Sequence, residues 1–131
     1  MNSSYTKALV VEDDLWMQPL VKAAIESAIP GVAIDWSESA EEGIRRSRFS
    51  RYAVIVADIN LKPNSETGLD LWYKWREECP DIPILLMSSI PIEIFTRKMG
   101  LYGPYYLHKP FSVLQCKEVI RNLVSHSGIS S

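Results

Sequence analysis

Acidic residues stand directly after two apolar runs of the sequence, and together they could bind a metal ion or a phosphoryl group. The acidic triplet at positions 12–14 follows the apolar residues 8–11, and Asp58 follows the apolar residues 53–57. Ligands of open parallel sheets bind at the carboxyl ends of the strands, so these carboxylates would converge if the two runs are neighbouring strands. Gathered carboxylates repel one another unless a cation neutralises them. Mg²⁺ suits such a cluster because it accepts carboxylate, water and phosphate oxygens.

Asp58 could carry the chemistry at this edge. A carboxylate at the end of a buried strand can attack phosphorus and form an aspartyl phosphate. Ser88 and Lys109 close two further apolar runs, and they offer a hydroxyl donor and a cation for the phosphoryl oxygens. Taken singly, each group has a plainer explanation. The triplet could be a helix-capping charge, Ser88 a loop hydroxyl and Lys109 a solvated side chain.

Five short apolar runs, most of them continuous, predict the strands that would position these groups. They cover residues 8–11, 32–34, 53–57, 82–87 and 105–107. Continuous runs are typical of parallel strands buried on both faces. Stretches with helical spacing lie between them, and the first contains Trp16, Leu20, Ala24 and Ala28. The alternation predicts an α/β fold: a doubly wound, five-stranded parallel sheet with five helices and the flavodoxin-like order 2-1-3-4-5.

Capping residues and prolines set the expected boundaries. Ser37 or Ser39 can cap the second helix and Ser112 the fifth, because short hydroxyl side chains accept hydrogen bonds from unpaired N–H groups. Pro19 lies near the start of the first helix and is expected past its first turn, which predicts a late start or a bend. Residues 1–131 are expected to form one domain with a core of about residues 6–125. Residues 125–131 would be a polar tail or the start of a linker.

Composition narrows the class of protein. The 131-residue chain is 47% hydrophobic and 23% charged, which is typical of a globular domain. Its net charge of −2 argues against a chain-wide nucleic-acid surface, and no apolar run approaches the roughly 20 residues of a membrane span. Cys79 and Cys116 lack metal-ligand spacing and are expected to be reduced thiols. We therefore expect a cytoplasmic protein without a direct nucleic-acid or membrane partner.

Taken together, the same residues resemble a known family. The motifs of bacterial response regulator receiver domains are similar in order and spacing to Val10-Val11-Glu12-Asp13-Asp14, Asp58, Ser88 and Lys109-Pro110-Phe111. The resemblance extends from about residue 8 to about residue 124. It implies a two-component or phosphorelay protein that accepts a phosphoryl group from a phosphohistidine on a histidine kinase or phosphotransfer protein, with Mg²⁺ as cofactor. Such a domain is a signalling phospho-acceptor that catalyses only its own phosphorylation and dephosphorylation.

The resemblance also implies a role for each matching residue at the phosphoryl site. Asp58 would accept the phosphoryl group, and Lys109 and Ser88 would contact its oxygens. Asp13 and Asp58 would bind Mg²⁺ directly, and Glu12 would bind it through water. Asn60, two residues after Asp58, would supply a backbone carbonyl as a further metal ligand.

Signal output is implied at a second set of residues. Ser88 and Tyr106 would form the switch, although Tyr106 could equally be a packed strand aromatic. Lys109 and Pro110 would be joined by a cis peptide bond, which an X-Pro sequence can adopt at modest cost. The switch would change the face formed by the fourth helix, fifth strand and fifth helix, where a downstream protein or a second copy could bind.

Two departures from the family's pattern keep an alternative open. The segment after Asp58 is about two residues longer than usual. Residues 90–103 are slightly too few, and Pro91 predicts a short or irregular fourth helix. The chain could therefore be a phosphorylation-independent scaffold with a receiver fold.

Two enzymatic or ligand-binding alternatives are weaker. A phosphatase or mutase with an aspartate nucleophile would need a second acid where Asn60 stands. A nucleotide-binding module would need glycines, not acids, after the first strand.

Overall fold

The computed structural model describes residues 6–58, 68–99 and 105–126. Strands and helices alternate five times along the chain, which confirms the predicted α/β class. In order they are β1 (Lys7–Val11), α1 (Gln18–Ala28), β2 (Ala33–Ser37), α2 (Ala40–Phe49), β3 (Val54–Asp58), α3 (Gly68–Glu78), β4 (Ile84–Ser88), α4 (Ile92–Met99), β5 (Tyr105–His108) and α5 (Val113–His126).

The five strands form one parallel sheet in the order β2-β1-β3-β4-β5, as predicted. The register places Val11 of β1 beside Ala57 of β3, and Ala57 beside Leu86 of β4. The residues that follow these positions therefore leave the sheet at the same edge. This common carboxyl edge is where the polar residues singled out in the sequence lie.

Apolar side chains of the central strands alternate between two cores, one on each face of the sheet. On one face, Val10 and Val56 pack with residues of α1 and α5, among them Ile25 and Ile120. On the other face, the members of the core include Leu9, Ile55, Ile44, Trp72 and Trp75. Burial on both faces explains why β1, β3 and β4 appear in the sequence as continuous apolar runs.

A close approach between α2 and the sheet requires glycine at position 43. A Cβ atom there would lie 2.8 Å from Val11 Cγ2 and 3.2 Å from Trp75 Cζ2. Glycine lets the helix pack directly against the end of β1. This packing fixes the position of the end of β1, which the acidic triplet follows.

The first helix corrects one part of the sequence analysis. It begins at Gln18, so the predicted late start is confirmed, but Pro19 lies within the first turn and not past it. Trp16, which the helical spacing included, precedes the helix and is 91% exposed. The buried residues of α1 are Val21, Ala24 and Ile25.

A turn that begins at Asp14 causes this difference. The Asp14 carboxylate accepts from the Trp16 N–H at 2.9 Å, and the Asp14 carbonyl accepts from Met17 N at 3.0 Å and Gln18 N at 3.2 Å. An aspartate that bonds to the backbone two residues on favours a turn over a helix. The chain therefore turns before it becomes helical, and Pro19 takes a position where its missing N–H costs nothing.

Most other predicted boundaries agree with the structure. Ser39 caps α2 by accepting from Glu42 N, and Ser112 caps α5 by accepting from Gln115 N at 3.0 Å. The Gln115 side chain accepts from Ser112 N at 2.8 Å, which completes a capping box. Within the described residues, helix α4 spans the eight residues Ile92–Met99.

Two further predictions concern the cysteines and the membrane spans. Both cysteines are free and buried. Across the described ranges, every helix is too short or too polar to cross a membrane. The long segment after Asp58 lies outside the described residues.

Candidate functional site

Three carboxylates converge at the carboxyl edge of the sheet. Glu12 and Asp13 follow β1, and Asp58 ends the neighbouring strand β3. One oxygen from each of the three lies within 4.8 Å of the others. The structure thus brings together three of the four predicted metal ligands. The fourth, Asn60, lies outside the described residues.

A lysine from the other side of the site binds two of these carboxylates. Lys109, the residue after β5, places Nζ 3.0 Å from Asp58 Oδ1 and 3.5 Å from Glu12 Oε1. The Lys109 and Asp58 side chains are only 17% and 10% exposed, so water screens their ion pair weakly. When all three carboxylates are ionised, one ammonium group leaves two negative charges, which a divalent cation would balance.

Hydrogen bonds fix the backbone of Glu12, but one of its two carboxylate oxygens makes no hydrogen bond among the described residues. Its N–H donates to the Ser37 carbonyl at 3.0 Å, and its own carbonyl accepts from Gln18 Nε2 at 3.1 Å. Oε2 accepts from Asp14 N at 3.1 Å, whereas Oε1 is buried without a hydrogen bond among the described residues and faces the Lys109 ammonium at 3.5 Å. A buried carboxylate oxygen in that state is expected to bind a cation or a proton.

The surroundings of Glu12 raise the pKa of its carboxyl from 4.5 to about 7. Burial is the largest cause, because it penalises the charged form, and the negative charge of Asp58 adds to it. The protonated form can also donate to Asp58, which raises the pKa further. The N–H of Asp14 and the ammonium of Lys109 act in the opposite direction.

This pKa predicts an unusual pH dependence of stability in the metal-free protein. Between pH 4.5 and 7 the folded state binds more protons at Glu12 than the unfolded state does, so the free energy of unfolding falls as pH rises through this window. The contribution is roughly 3 kcal/mol, at about 1.4 kcal/mol per pKa unit. Urea denaturation between pH 4.5 and 8 measures it.

Substitution of Glu12 isolates this contribution. Glu12→Gln should match wild type near pH 5 and exceed it in stability at pH 8. Glu41→Gln, at an exposed position of α2, should follow the wild-type curve. Parallel pH profiles for Glu12→Gln and wild type would contradict the raised pKa.

Ser88 ends β4 at the same edge and is 3% exposed. The preceding residue, Met87, pairs with Asp58 in the parallel register, which puts Ser88 beside the carboxylates. Its Oγ accepts from Ile90 N at 3.1 Å, and its carbonyl accepts from Lys109 N at 2.8 Å. The hydroxyl is therefore fixed by the turn that follows β4, and its own proton can still be donated.

Tyr106 contacts the same turn from β5. Its ring packs partly against the core formed with α2 and α3, and its hydroxyl hydrogen-bonds to the carbonyls of Ser88, at 3.0 Å, and Ile90. Burial raises the pKa of this phenol, so it stays protonated and able to donate at neutral pH. Both interpretations of Tyr106, packed aromatic and switch residue, are compatible with this position.

Two neighbouring features complete the site. The peptide bond between Lys109 and Pro110 is cis. His108, which the sequence analysis did not include among the site residues, has Nε2 3.1 Å from the Ser89 carbonyl. Its position between the fifth apolar run and Lys109 is the feature of the sequence that could have identified it.

Comparisons with known proteins agree with this arrangement. A family model described as the response regulator receiver domain matches residues 8–121. The probable transcriptional regulatory protein TcrX of Mycobacterium tuberculosis is 30% identical over 125 residues, which cover 94% of this chain and 51% of that protein. The transcriptional regulatory protein QseB of Haemophilus influenzae is 25% identical over 120 residues, 90% of this chain and 52% of that protein. The chain thus spans about half the length of these relatives.

Solved structures share the fold at lower identity. The receiver domain of the sensor histidine kinase PA1611 from Pseudomonas aeruginosa, which has a magnesium ion in its active-site cleft, matches with a TM-score of 0.73. It is 21% identical, and the match covers 93% of this chain and 99% of that one. The chemotaxis response regulator CheY4 of Vibrio cholerae matches with a TM-score of 0.74 at 20% identity, over 92% of this chain and 99% of that one.

Proposed function

The chain belongs to the response regulator receiver family, and on this premise we propose that it accepts a phosphoryl group onto Asp58 from a phosphohistidine partner. The observation that carries the proposal is the arrangement around Asp58. Its carboxylate is nearly buried, ion-paired with Lys109 at 3.0 Å and grouped with Glu12 and Asp13. An isolated surface aspartate would have none of these neighbours.

The cofactor in this proposal is Mg²⁺. Asp13 and Asp58 would bind it directly, Glu12 through water and Asn60 through its backbone carbonyl. The three gathered carboxylates fit a hard divalent cation, which prefers oxygen ligands. Glu12 Oε1 is buried without a hydrogen bond among the described residues, although the Lys109 ammonium lies 3.5 Å away. When bound, the cation would supply neutralising charge for the phosphoryl oxygens.

The protein's own residues would carry out the transfer. A carboxylate oxygen of Asp58 attacks phosphorus, a P–O bond forms, and the P–N bond to the donor histidine breaks. The ammonium of Lys109 moves from Asp58 to the transferred phosphoryl oxygens, where it acts as a point charge. The Ser88 hydroxyl donates to another of these oxygens. Hydrolysis of the aspartyl phosphate would reset the site, so the domain turns over no separate metabolite.

Output would follow from the turn after β4. Recruitment of Ser88 to the phosphoryl group shifts this turn, and Tyr106, bonded to the same turn, follows. The affected face is formed by α4, β5 and α5. Apolar side chains of α4 and β5 are exposed to solvent: Ile92 at 50%, Ile94 at 41% and Tyr105 at 57%. We propose this face as the place where a downstream protein or a second copy binds.

The wider biology rests on the relatives. TcrX and QseB are described as transcriptional regulatory proteins, and the chain covers about half of each. Control of transcription by the whole protein is therefore a further proposal, with a histidine kinase or phosphotransfer protein as the donor. We place the reaction in the cytoplasm, in keeping with two buried free thiols. The division into a core of about residues 6–125 and a tail stays a prediction.

Intact mass after incubation with a small-molecule phosphoramidate donor tests the proposal. We expect the mass of one phosphoryl group to be added when Mg²⁺ is present and not when it is removed by a chelator. A folded protein that gains no mass with Mg²⁺ present would contradict acceptance from small donors. It would favour the scaffold alternative or a site that accepts only from its own partner.

A further inference from the structure

Three residues at the end of β5 hold the turn that carries Ser88. Lys109 N donates to the Ser88 carbonyl, the Tyr106 hydroxyl bonds to the carbonyls of Ser88 and Ile90, and His108 Nε2 lies 3.1 Å from the carbonyl of Ser89. All three successive carbonyls of the turn are thus hydrogen-bonded to β5 or the residue after it.

We propose that His108 is a positioning residue for phosphoryl acceptance, acting through Ser89 on the hydroxyl of Ser88. The inference rests on the proposed function and adds a residue to it. His108 is exposed and lies on an edge strand, so packing of the core does not explain its place. In the register it pairs with Ser88 itself, which puts its ring beside the start of the turn.

The direction of this hydrogen bond determines which ring nitrogen of His108 carries the proton. A carbonyl oxygen can only accept, so Nε2 must carry the proton, and the neutral ring must be the Nε2–H tautomer. This bond restrains the middle of the turn, between the two carbonyls that Tyr106 holds. The restraint matters for Ser88 because its Oγ accepts from Ile90 N, at the far end of the same turn.

The expected effect follows from pre-organisation. A turn already fixed by β5 presents the Ser88 hydroxyl in one place, so less ordering is required when a phosphoryl group arrives. Without the His108 bond, the Ser89 peptide can rotate and the Ile90 N–H moves with it. The phosphoryl group would then meet a less ordered Ser88, while the three carboxylates at the opposite side of the site stay as they are.

Beryllofluoride, a phosphoryl mimic, tests this in the presence of saturating Mg²⁺. We expect His108→Val to weaken beryllofluoride binding roughly three- to ten-fold, the usual effect of losing one intramolecular hydrogen bond. His108→Gln keeps an N–H donor at similar reach and should bind the mimic within about two-fold of wild type. Isothermal titration would give both affinities. Binding of Mg²⁺ alone should be unchanged in both variants.

Each other outcome has a definite meaning. Equal or tighter binding of the mimic by His108→Val would overturn the role of His108, as would a loss in His108→Gln as large as in His108→Val. A ¹⁵N spectrum of the wild-type imidazole that shows the Nδ1–H tautomer would overturn it as well. Failure of the wild type to bind the mimic at all would instead refute the proposed function on which the inference depends.

Discussion

Asp58→Asn is expected to abolish phosphoryl acceptance completely, because an amide is not a nucleophile toward phosphorus. The variant should remain folded, since the remaining amide oxygen can still accept from Lys109 Nζ, which lies 3.0 Å from Oδ1 in the wild type. Its affinity for Mg²⁺ should fall, because one of the three gathered carboxylates is lost. Intact mass after treatment with phosphoramidate measures acceptance, and titration with Mg²⁺ measures binding.

The matched control for this change lies at the opposite end of the sheet. Asp81→Asn alters an exposed aspartate in the loop before β4 and should accept the phosphoryl group at the wild-type rate. Retention of a phosphoryl group by folded Asp58→Asn would place the acceptor elsewhere and refute the assignment.

Lys109→Met should slow phosphoryl acceptance on the order of 100-fold, the usual loss when one charge-stabilising donor is removed from a transition state. Binding of Mg²⁺ should be at least as tight as in wild type. The reason is that the ammonium at 3.0 Å from Asp58 and 3.5 Å from Glu12 competes with the metal for these carboxylates. Metal-free Lys109→Met should also be less stable at pH 8, where two buried carboxylates lose their cation. The rate of mass gain and the Mg²⁺ affinity are the two measurements.

These two measurements separate catalysis from structure. Lys22→Met changes an exposed lysine of α1; it is the control and should change neither acceptance nor metal binding. If Lys109→Met loses Mg²⁺ binding together with acceptance, Lys109 supports the shape of the site and not the transfer. Unchanged acceptance would remove Lys109 from the mechanism.

Much of the site was predictable because strand ends are visible in the sequence. Continuous apolar runs fixed the positions of β1, β3 and β4, and residues that follow parallel strands must share an edge. Glu12, Asp13 and Asp58 were therefore expected to meet, and one oxygen from each lies within 4.8 Å of the others. The ion pair of Lys109 with Asp58 follows from the same argument, because Lys109 leaves β5 at that edge.

The start of the first helix was predicted less accurately because the spacing of its apolar residues is ambiguous. Trp16, Leu20, Ala24 and Ala28 share one helical face, but an apolar side chain at a loop position gives the same pattern. Hydrogen bonds of Asp14 to the following backbone decide the matter by forming a turn first. Sequence spacing does not reveal which of two local hydrogen-bonding patterns a side chain will adopt.

Side-chain hydrogen bonds to backbone carbonyls could not be predicted from the sequence, for a different reason. The contacts of Tyr106 and His108 with the turn after β4 depend on the path of that turn and on the register of an edge strand. Every residue has a backbone carbonyl, so the residue type does not show which carbonyl will accept a hydrogen bond. The hydrogen bonds by which β5 and Lys109 hold the turn before α4 emerged only from the structure.

Chemical trapping of the acceptor residue tests the account most directly. Borohydride reduces an aspartyl phosphate to homoserine, so phosphorylated wild-type protein can be reduced, digested and mapped by peptide mass spectrometry. We predict homoserine at position 58 alone, formed only when phosphoramidate and Mg²⁺ were both present. Homoserine at another aspartate, or none in a protein that has gained a phosphoryl group, would contradict the assignment of Asp58 as the acceptor.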